Sequence, residues 1–349
     1  MPAGNPPEAF AFRRAAPHLL SAAVVLLAGG SLSADETASA HPAATAIDRE
    51  QGDNNWSERL RRAAEAMEWS DELVRHEWRI QRRPGSDAAR VLDPADRVIQ
   101  AGSAAACREH FQSLEASGQI PPVDGPTVIL LHGLGEGRGS MRPLANYLRE
   151  HHDATVLTFG YASPRAGVDD HARALGSVIA GLDGADRISL VGHSLGNIVV
   201  RRWMADAPAA DLDRIERMVM LGAPNQGSDL ARRVSQVWLL SKLSTGAARE
   251  MVMNWPQLAR KLVVPPCPFG IIAGGTGDAE GYSPMLDGDD DAVVRVEETR
   301  LEGADDFVLL PVRHAFMMRD PAVQEATASF LKGGRFGAAA EPPAADGAR

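Results

Sequence analysis

Two hydrophobic rhythms run along the chain, and they meet at Pro121-Pro122-Val123-Asp124-Gly125-Pro126. Before that boundary the apolar positions are sparse. Trp56, Leu60, Ala63, Met67 and Leu73 fall loosely along one side, with Arg and Glu between them, a spacing that predicts a helix over 55–77. Short strands are expected around Trp78–Gln81, Ala89–Leu92 and Val98–Ala101. Turns at Arg83-Pro84-Gly85-Ser86 and Asp93-Pro94-Ala95-Asp96 separate them. Ser103 is placed to cap a helix through Glu115. Residues 54–120 thus read as a small α+β module.

Beyond the boundary, solid apolar runs alternate with helical patterns. Strands are predicted at Thr127–Leu131, Ala154–Phe159, Ile188–Val191, Met218–Leu221, Phe269–Ala273 and Phe307–Leu310. Helices are predicted at Met141–Glu150, Val168–Leu182 and from just after Ser194 through Met204. Strands apolar on both faces belong in a mostly parallel sheet covered on both sides. The expectation for 121–332 is therefore a three-layer α/β/α fold. The long helical stretch from Asn225 to Pro266 fits an insertion above the sheet better than a single crossover. Its apolar residues, Val237-Trp238-Leu239-Leu240, Leu243, Met251, Met253 and Trp255, suit either an acyl chain beneath a cap or plain packing of the cap onto the sheet. Residues 333–349, rich in Ala, Pro and Gly, read as a disordered tail. No internal repeat is evident.

Composition narrows the function. A net charge of −10 lacks the basic footprint of a nucleic-acid binder. At the amino end, Arg13-Arg14 precede an apolar run from Leu19 to Ala28, and small residues end at Ser31-Leu32-Ser33-Ala34. That order predicts an export signal over 1–34 and a periplasmic or extracellular protein. The run is shorter than the ~20 apolar residues that span a bilayer. A polar leader, 35–53, would follow. In an exported protein Cys107 and Cys267 could be bridged, or each could be a small buried hydrophobe.

The chemistry starts at Val191-Gly192-His193-Ser194-Leu195-Gly196-Asn197, which contains G-x-S-x-G. Five residues alone are weak evidence. A strand before and a helix after make the pattern a sharp turn that exposes Ser194 as a nucleophile, with Gly192 and Gly196 removing side chains where the turn is crowded. A serine hydroxyl needs a base and donors for the developing oxyanion. The turn His132-Gly133-Leu134-Gly135 follows the first strand of this domain, so the N–H groups of Leu134 and Leu195 are the expected donors. His132, Gly133 and Gly135 shape that turn. The chain order for this architecture is Ser, acid, His. Of ten histidines only His314 follows Ser194, which makes it the expected base. For the acid, Asp287, Asp289, Asp290 and Asp291 all qualify, with Asp229 and Asp278 also in order. The aspartate cluster equally suits a solvated face or a calcium loop.

These residues resemble the α/β-hydrolase superfamily, in particular its lipase-like serine esterases of exported bacterial type. The likeness spans roughly 126–330. It rests on LLHGLG at 130–135, VGHSLGN at 191–197, LGAPNQGS at 221–228 and the ordered acid and base. Ala223 stands where that family has Ser or Thr. The resemblance places the acid in an N-D-G-x-V-like loop. Matching Val294 to its valine selects Asp291, with Asp290 where asparagine is usual and Ala292 where glycine is usual. Asp290 is the alternative acid. The implied activity is carboxylic ester hydrolysis through an acyl-enzyme, with no cofactor. Small-molecule or lipid esters are the expected substrates, with transient contact at a lipid surface and no protein partner. An acyltransferase, thioesterase or amidase would use the same triad, and a secreted binding protein could keep the fold without turnover.

Overall fold

The computed structural model describes residues 64–230, 233 and 246–337, all within the compact unit Arg62–Arg349. The expected export signal and leader, the start of the 55–77 helix, Val237 to Leu243 of the insertion and the tail from 338 lie outside the described residues.

The amino-terminal module differs from its pattern. Among the described residues, 64–66 are helical before the chain straightens into β1 (Ser70–Arg75), antiparallel to β2 (Trp78–Arg82). Arg75 pairs with Trp78, so His76 and Glu77 form a two-residue hairpin loop, and His76 takes a φ of 52°. The spacing explains the missed boundary. Met67 and Leu73 are six residues apart, which is not a helical repeat. Strands β3 (Ala88–Leu92) and β4 (Val98–Ser103) complete a four-stranded antiparallel sheet. Helix α1 (Ala104–Ala116) covers it, with the Ser103 hydroxyl accepting from the Ala106 N–H as expected of a cap. Ile80, Val91, Cys107, Phe111 and Ile120 form this module's own core.

The large sheet has six strands in the order β10-β9-β8-β7-β5-β6, every pair parallel. They are β5 (Thr127–Leu131), β6 (Thr155–Phe159), β7 (Ile188–His193), β8 (Ile215–Leu221), β9 (Phe269–Gly274) and β10 (Asp306–Leu310). Alternation along β5 divides the core. Ile129 and Leu131 face α3 (Val168–Gly181) and α4 (Leu195–Asp206). Val128 and Leu130 face α2 (Arg142–His151) and α6 (Pro321–Gly333). This is the three-layer α/β/α arrangement, with the antiparallel module appended. The chain leaves β5 for β6 on one side and returns to β7 on the other. The direction of winding therefore switches between β5 and β7, the place at whose strand carboxyl ends open α/β sheets bind their ligands.

The insertion returns through α5 (Gly246–Met253), whose Ala247 N–H donates to Ala166 O at 2.8 Å. Its Glu250 accepts from the Val168 N–H at 2.7 Å. Met251 and Trp255 pack onto the sheet's core, the plain packing role, whereas Met253 is exposed. The tail is ordered further than its composition suggests. Gly334 closes α6 in the left-handed conformation, and Phe336 is buried against Phe330. One aromatic anchor holds this part of the chain against α6. Both cysteines are free thiols, Cys107 in the small module's core and Cys267 against the core of the large sheet. Burial pushes the Cys267 thiol up to about 12.

Candidate active site

Ser194 is the single residue between β7 and α4, and its backbone sits at φ 51°, ψ −117°. A non-glycine residue there is strained, and the surroundings must over-determine it. They do so from both sides. The Ser194 N–H donates to Leu221 O at 2.9 Å, and the Asn197 N–H donates to Ser194 O at 3.1 Å. A Cβ on Gly192 would stand 2.4 Å from Asn197 Oδ1 and 2.7 Å from its backbone nitrogen. One on Gly196 would stand 2.7 Å from Leu131 O, the last residue of β5. Both glycines are needed because the turn is pressed against its own helix and against the neighbouring strand.

The turn after β5 is built around His132. Its Nδ1 lies 2.9 Å from Gly133 O, an acceptor, so Nδ1 carries the proton. Nε2 is then free to accept from the Tyr161 N–H at 3.2 Å. Tyr161 stacks on the ring and donates from Oη to His132 O at 2.5 Å. Burial pushes the His132 imidazole down, which suits this neutral structural role. Gly133 N–H donates to Glu136 Oε2 at 3.0 Å and Gly135 N–H to Ser163 Oγ at 3.1 Å. Between them, the Leu134 N–H has no acceptor among the described residues. Leu195 opens α4, so its N–H has no carbonyl one turn back.

The small module braces this region. Asp71 Oδ2 accepts from Arg79 and from the Gly160 N–H, each at 2.7 Å, and Ser70 Oγ accepts from the Ala162 N–H at 3.1 Å. Gly160 and Ala162 flank the Tyr161 that supports His132.

His314 begins a 3₁₀ turn shortly after β10. Its Nδ1 donates to Asp291 Oδ2 at 2.6 Å, and its own N–H donates to Asp291 O at 2.8 Å. Asp291 Oδ1 accepts from the N–H groups of Val293 (3.0 Å) and Val294 (2.7 Å), which fixes the carboxylate. With Nδ1 protonated, Nε2 is the basic nitrogen. Burial works to depress this imidazole, but Asp291 outweighs it and holds His314 above the ordinary histidine value. The His314 ring lies 4.6 Å, centroid to centroid, from that of His193, the residue before Ser194.

The four clustered aspartates have four different partners. Asp287 pairs with Arg233 at 2.6 Å. Asp289 accepts from the N–H groups of Thr276 and Gly277. Asp290 accepts from those of Ala292 and Ser283, and burial raises its carboxyl. Only Asp291 meets the histidine. Ala292 takes a φ of 83°, a conformation that explains glycine as the usual residue there. Among the described residues no group of three or more His, Cys, Asp or Glu side chains could hold a metal ion.

Three features escaped the sequence reading. Gly222, in the LGAPNQGS segment, has φ 52°, and a Cβ there would meet His314 Nδ1 at 2.9 Å, so this segment floors the imidazole. Asn225 beside it is gripped by buried Arg201, whose Nη1 donates to Asn225 Oδ1 at 3.0 Å. Glu136, partly buried, and His193, fully buried, face each other 3.4 Å apart. Glu136 lies three residues past Gly133 in the sequence, and that closeness to the turn was its only visible signal.

No family model and no curated protein matches the chain. Among solved structures it is similar to the mature form of Bacillus licheniformis lipase BlEst2. The match has 17% identity, a TM-score of 0.49, and covers 61% of this chain and 96% of that one. A metagenomic carboxyl esterase is similar at 16% identity and a TM-score of 0.41, covering 56% of this chain and 67% of that one. Phospholipase PlaB from Legionella pneumophila is similar at 22% identity and a TM-score of 0.38, covering 50% and 45%. At these identities and TM-scores the likenesses carry nothing about this chain's chemistry, which rests on its own residues.

Proposed function

We propose that this chain is a serine hydrolase acting on carboxylic esters through an acyl-enzyme. One observation carries the reading: the strained elbow at Ser194 adjoins a histidine ring in contact with His314, whose Nδ1 is held by Asp291 at 2.6 Å. Ser194 Oγ attacks the ester carbonyl carbon while His314 Nε2 takes its proton. The carbonyl electron pair moves onto oxygen, where the Leu134 and Leu195 N–H groups stabilise it. The tetrahedral intermediate collapses, the C–O bond to the alcohol breaks, and His314 protonates the departing oxygen. Water then gives a proton to His314 and its oxygen bonds to the acyl carbon. The acid leaves, and Ser194 recovers its proton. Throughout, Asp291 keeps His314 in one tautomer and stabilises its cation.

A fluorophosphonate probe and an ester panel test this. Wild type is expected to label at Ser194 and to turn over esters, and Ser194→Ala to lose both. A labelled protein with no Ser194 adduct by mass spectrometry refutes the reading. Adding competing alcohols or amines separates hydrolysis from acyl transfer on the same triad.

A further inference from the structure

We propose that Glu136 and His193 are positioning residues that brace the oxyanion turn and the base-bearing loop against the nucleophile elbow. The inference rests on the serine-hydrolase reading above. None of the proposed chemical steps uses either side chain, yet His193 is fully buried and Glu136 largely so beside the reacting groups. Glu136 Oε2 accepts from the Gly133 N–H at 3.0 Å and from Ser140 Oγ at 2.7 Å. Its Oε1 faces His193 Nδ1 at 3.4 Å. On the far side of the ring, His193 Nε2 lies 3.1 Å from His314 O.

The proton arrangement follows from what these groups can do. A carbonyl oxygen only accepts, so His193 Nε2 carries a proton and donates it to His314 O. Nδ1, on the other edge of the ring, faces Glu136 Oε1 at 3.4 Å, close enough for charge attraction but without a hydrogen bond of its own. The brace thus runs from the backbone of the oxyanion turn, through Glu136 and His193, to the backbone of the base. These segments are far apart in sequence: His193 and His314 are separated by 121 positions. Packing leaves no slack. A Cβ on Gly133 would stand 3.0 Å from His193 Nδ1 and 3.3 Å from Glu136 Oε1, so the pair lies directly against the turn that carries the Leu134 N–H. Burial alone would raise the Glu136 carboxyl. His193, Ser140 and the Gly133 amide outweigh it and hold the carboxyl well below the usual range.

A buried ion pair of this kind often contributes little net stability, because desolvation offsets the attraction. Small displacements of catalytic groups, by contrast, cost rate steeply: about 100-fold for roughly 1 Å. The brace is therefore expected to show in turnover more than in binding. The test uses the full chain with a chromogenic ester, reading kcat, KM and thermal unfolding. Glu136→Ala removes every acceptor and is expected to lower kcat by about 10- to 100-fold, with KM within about twofold. Glu136→Gln is expected to restore kcat to within about fivefold of wild type. Its amide oxygen still accepts from Gly133 and Ser140, and its NH2 donates to a neutral Nδ1. Wild-type kcat in a folded Glu136→Ala protein overturns the inference, and so do equal losses in the Ala and Gln variants. Should Glu136→Ala fail to fold, His193→Phe keeps the ring and removes both polar contacts. It is expected to lower kcat, and an unchanged kcat in a folded protein overturns the inference. Ser194→Ala separates the two levels. Full turnover in Ser194→Ala sinks the hydrolase reading itself. A silent Ser194→Ala beside fully active Glu136 and His193 variants sinks only the brace.

Discussion

His171 opens a direct route to the acid sensitivity of this fold. It lies in the first turns of α3, fully buried, with its ring 4.7 Å from that of Tyr161. Neither ring nitrogen has a hydrogen-bond partner. The backbone of Ser163 and Ala166 is close enough to favour the charged form slightly, but in geometry too poor for a hydrogen bond. Burial pushes the imidazole down to about 4. An unfolded chain would bind the proton near 6.5. Between those values the unfolded state holds more protons than the native one, so stability falls as pH falls through the window and levels off below it. Linkage between pH 7 and pH 4.5 then amounts to roughly 2 kcal/mol of lost stability from this one side chain. His171→Phe keeps a ring against Tyr161 and removes the titrating group without breaking a hydrogen bond. Denaturant unfolding of wild type and variant at several pH values measures the effect. The variant is expected to gain on wild type by roughly 2 kcal/mol on going from pH 7 to 4.5, whatever their difference at pH 7. A difference that stays flat across that range would refute a neutral, uncompensated His171.

Asp291→Asn is expected to lower kcat by about 10³- to 10⁴-fold, because the amide no longer enforces the Nδ1–H tautomer. Asp290→Asn, whose carboxylate serves only the Ser283 and Ala292 amides, is expected to lose stability and keep most of the rate. Steady-state kinetics on both folded variants checks this, and a larger loss at Asp290 reverses the assignment. The kcat/KM profile of wild type should fall on the acid side with a midpoint above the ordinary histidine value, since His314 must be neutral to act as base and Asp291 raises it. An acid limb below that value contradicts the role given to His314.

Much of the candidate site was legible because it rests on local constraints. A strand that ends at His193, a helix that starts at Leu195 and glycines on both sides leave one possible placement for Ser194. Chain order singled out His314 without any distance. The acid was different. Four aspartates within five residues look alike in a pattern, and each turns to a separate partner only once the loop closes. The carboxyl end of the helix expected over 55–77 gave way to β1 for a related reason. A loose 3.6-residue spacing cannot register the buried contact of Asp71 with Arg79 and Gly160 that makes this segment an edge strand.

The sequence by itself determined the alternation of apolar strands and helices, and with it the layered sheet. It also determined the strand–turn–helix that holds Ser194 in its turn. These follow from periodicity and from steric limits within a few residues. Tertiary structure alone decided that Asp291 meets His314, that Gly222 floors the imidazole, and that Glu136 and His193 tie three distant segments together. A hydrogen bond needs its partners within about 3 Å and aligned. Loop closure and packing set that geometry, and no local pattern along the chain encodes it.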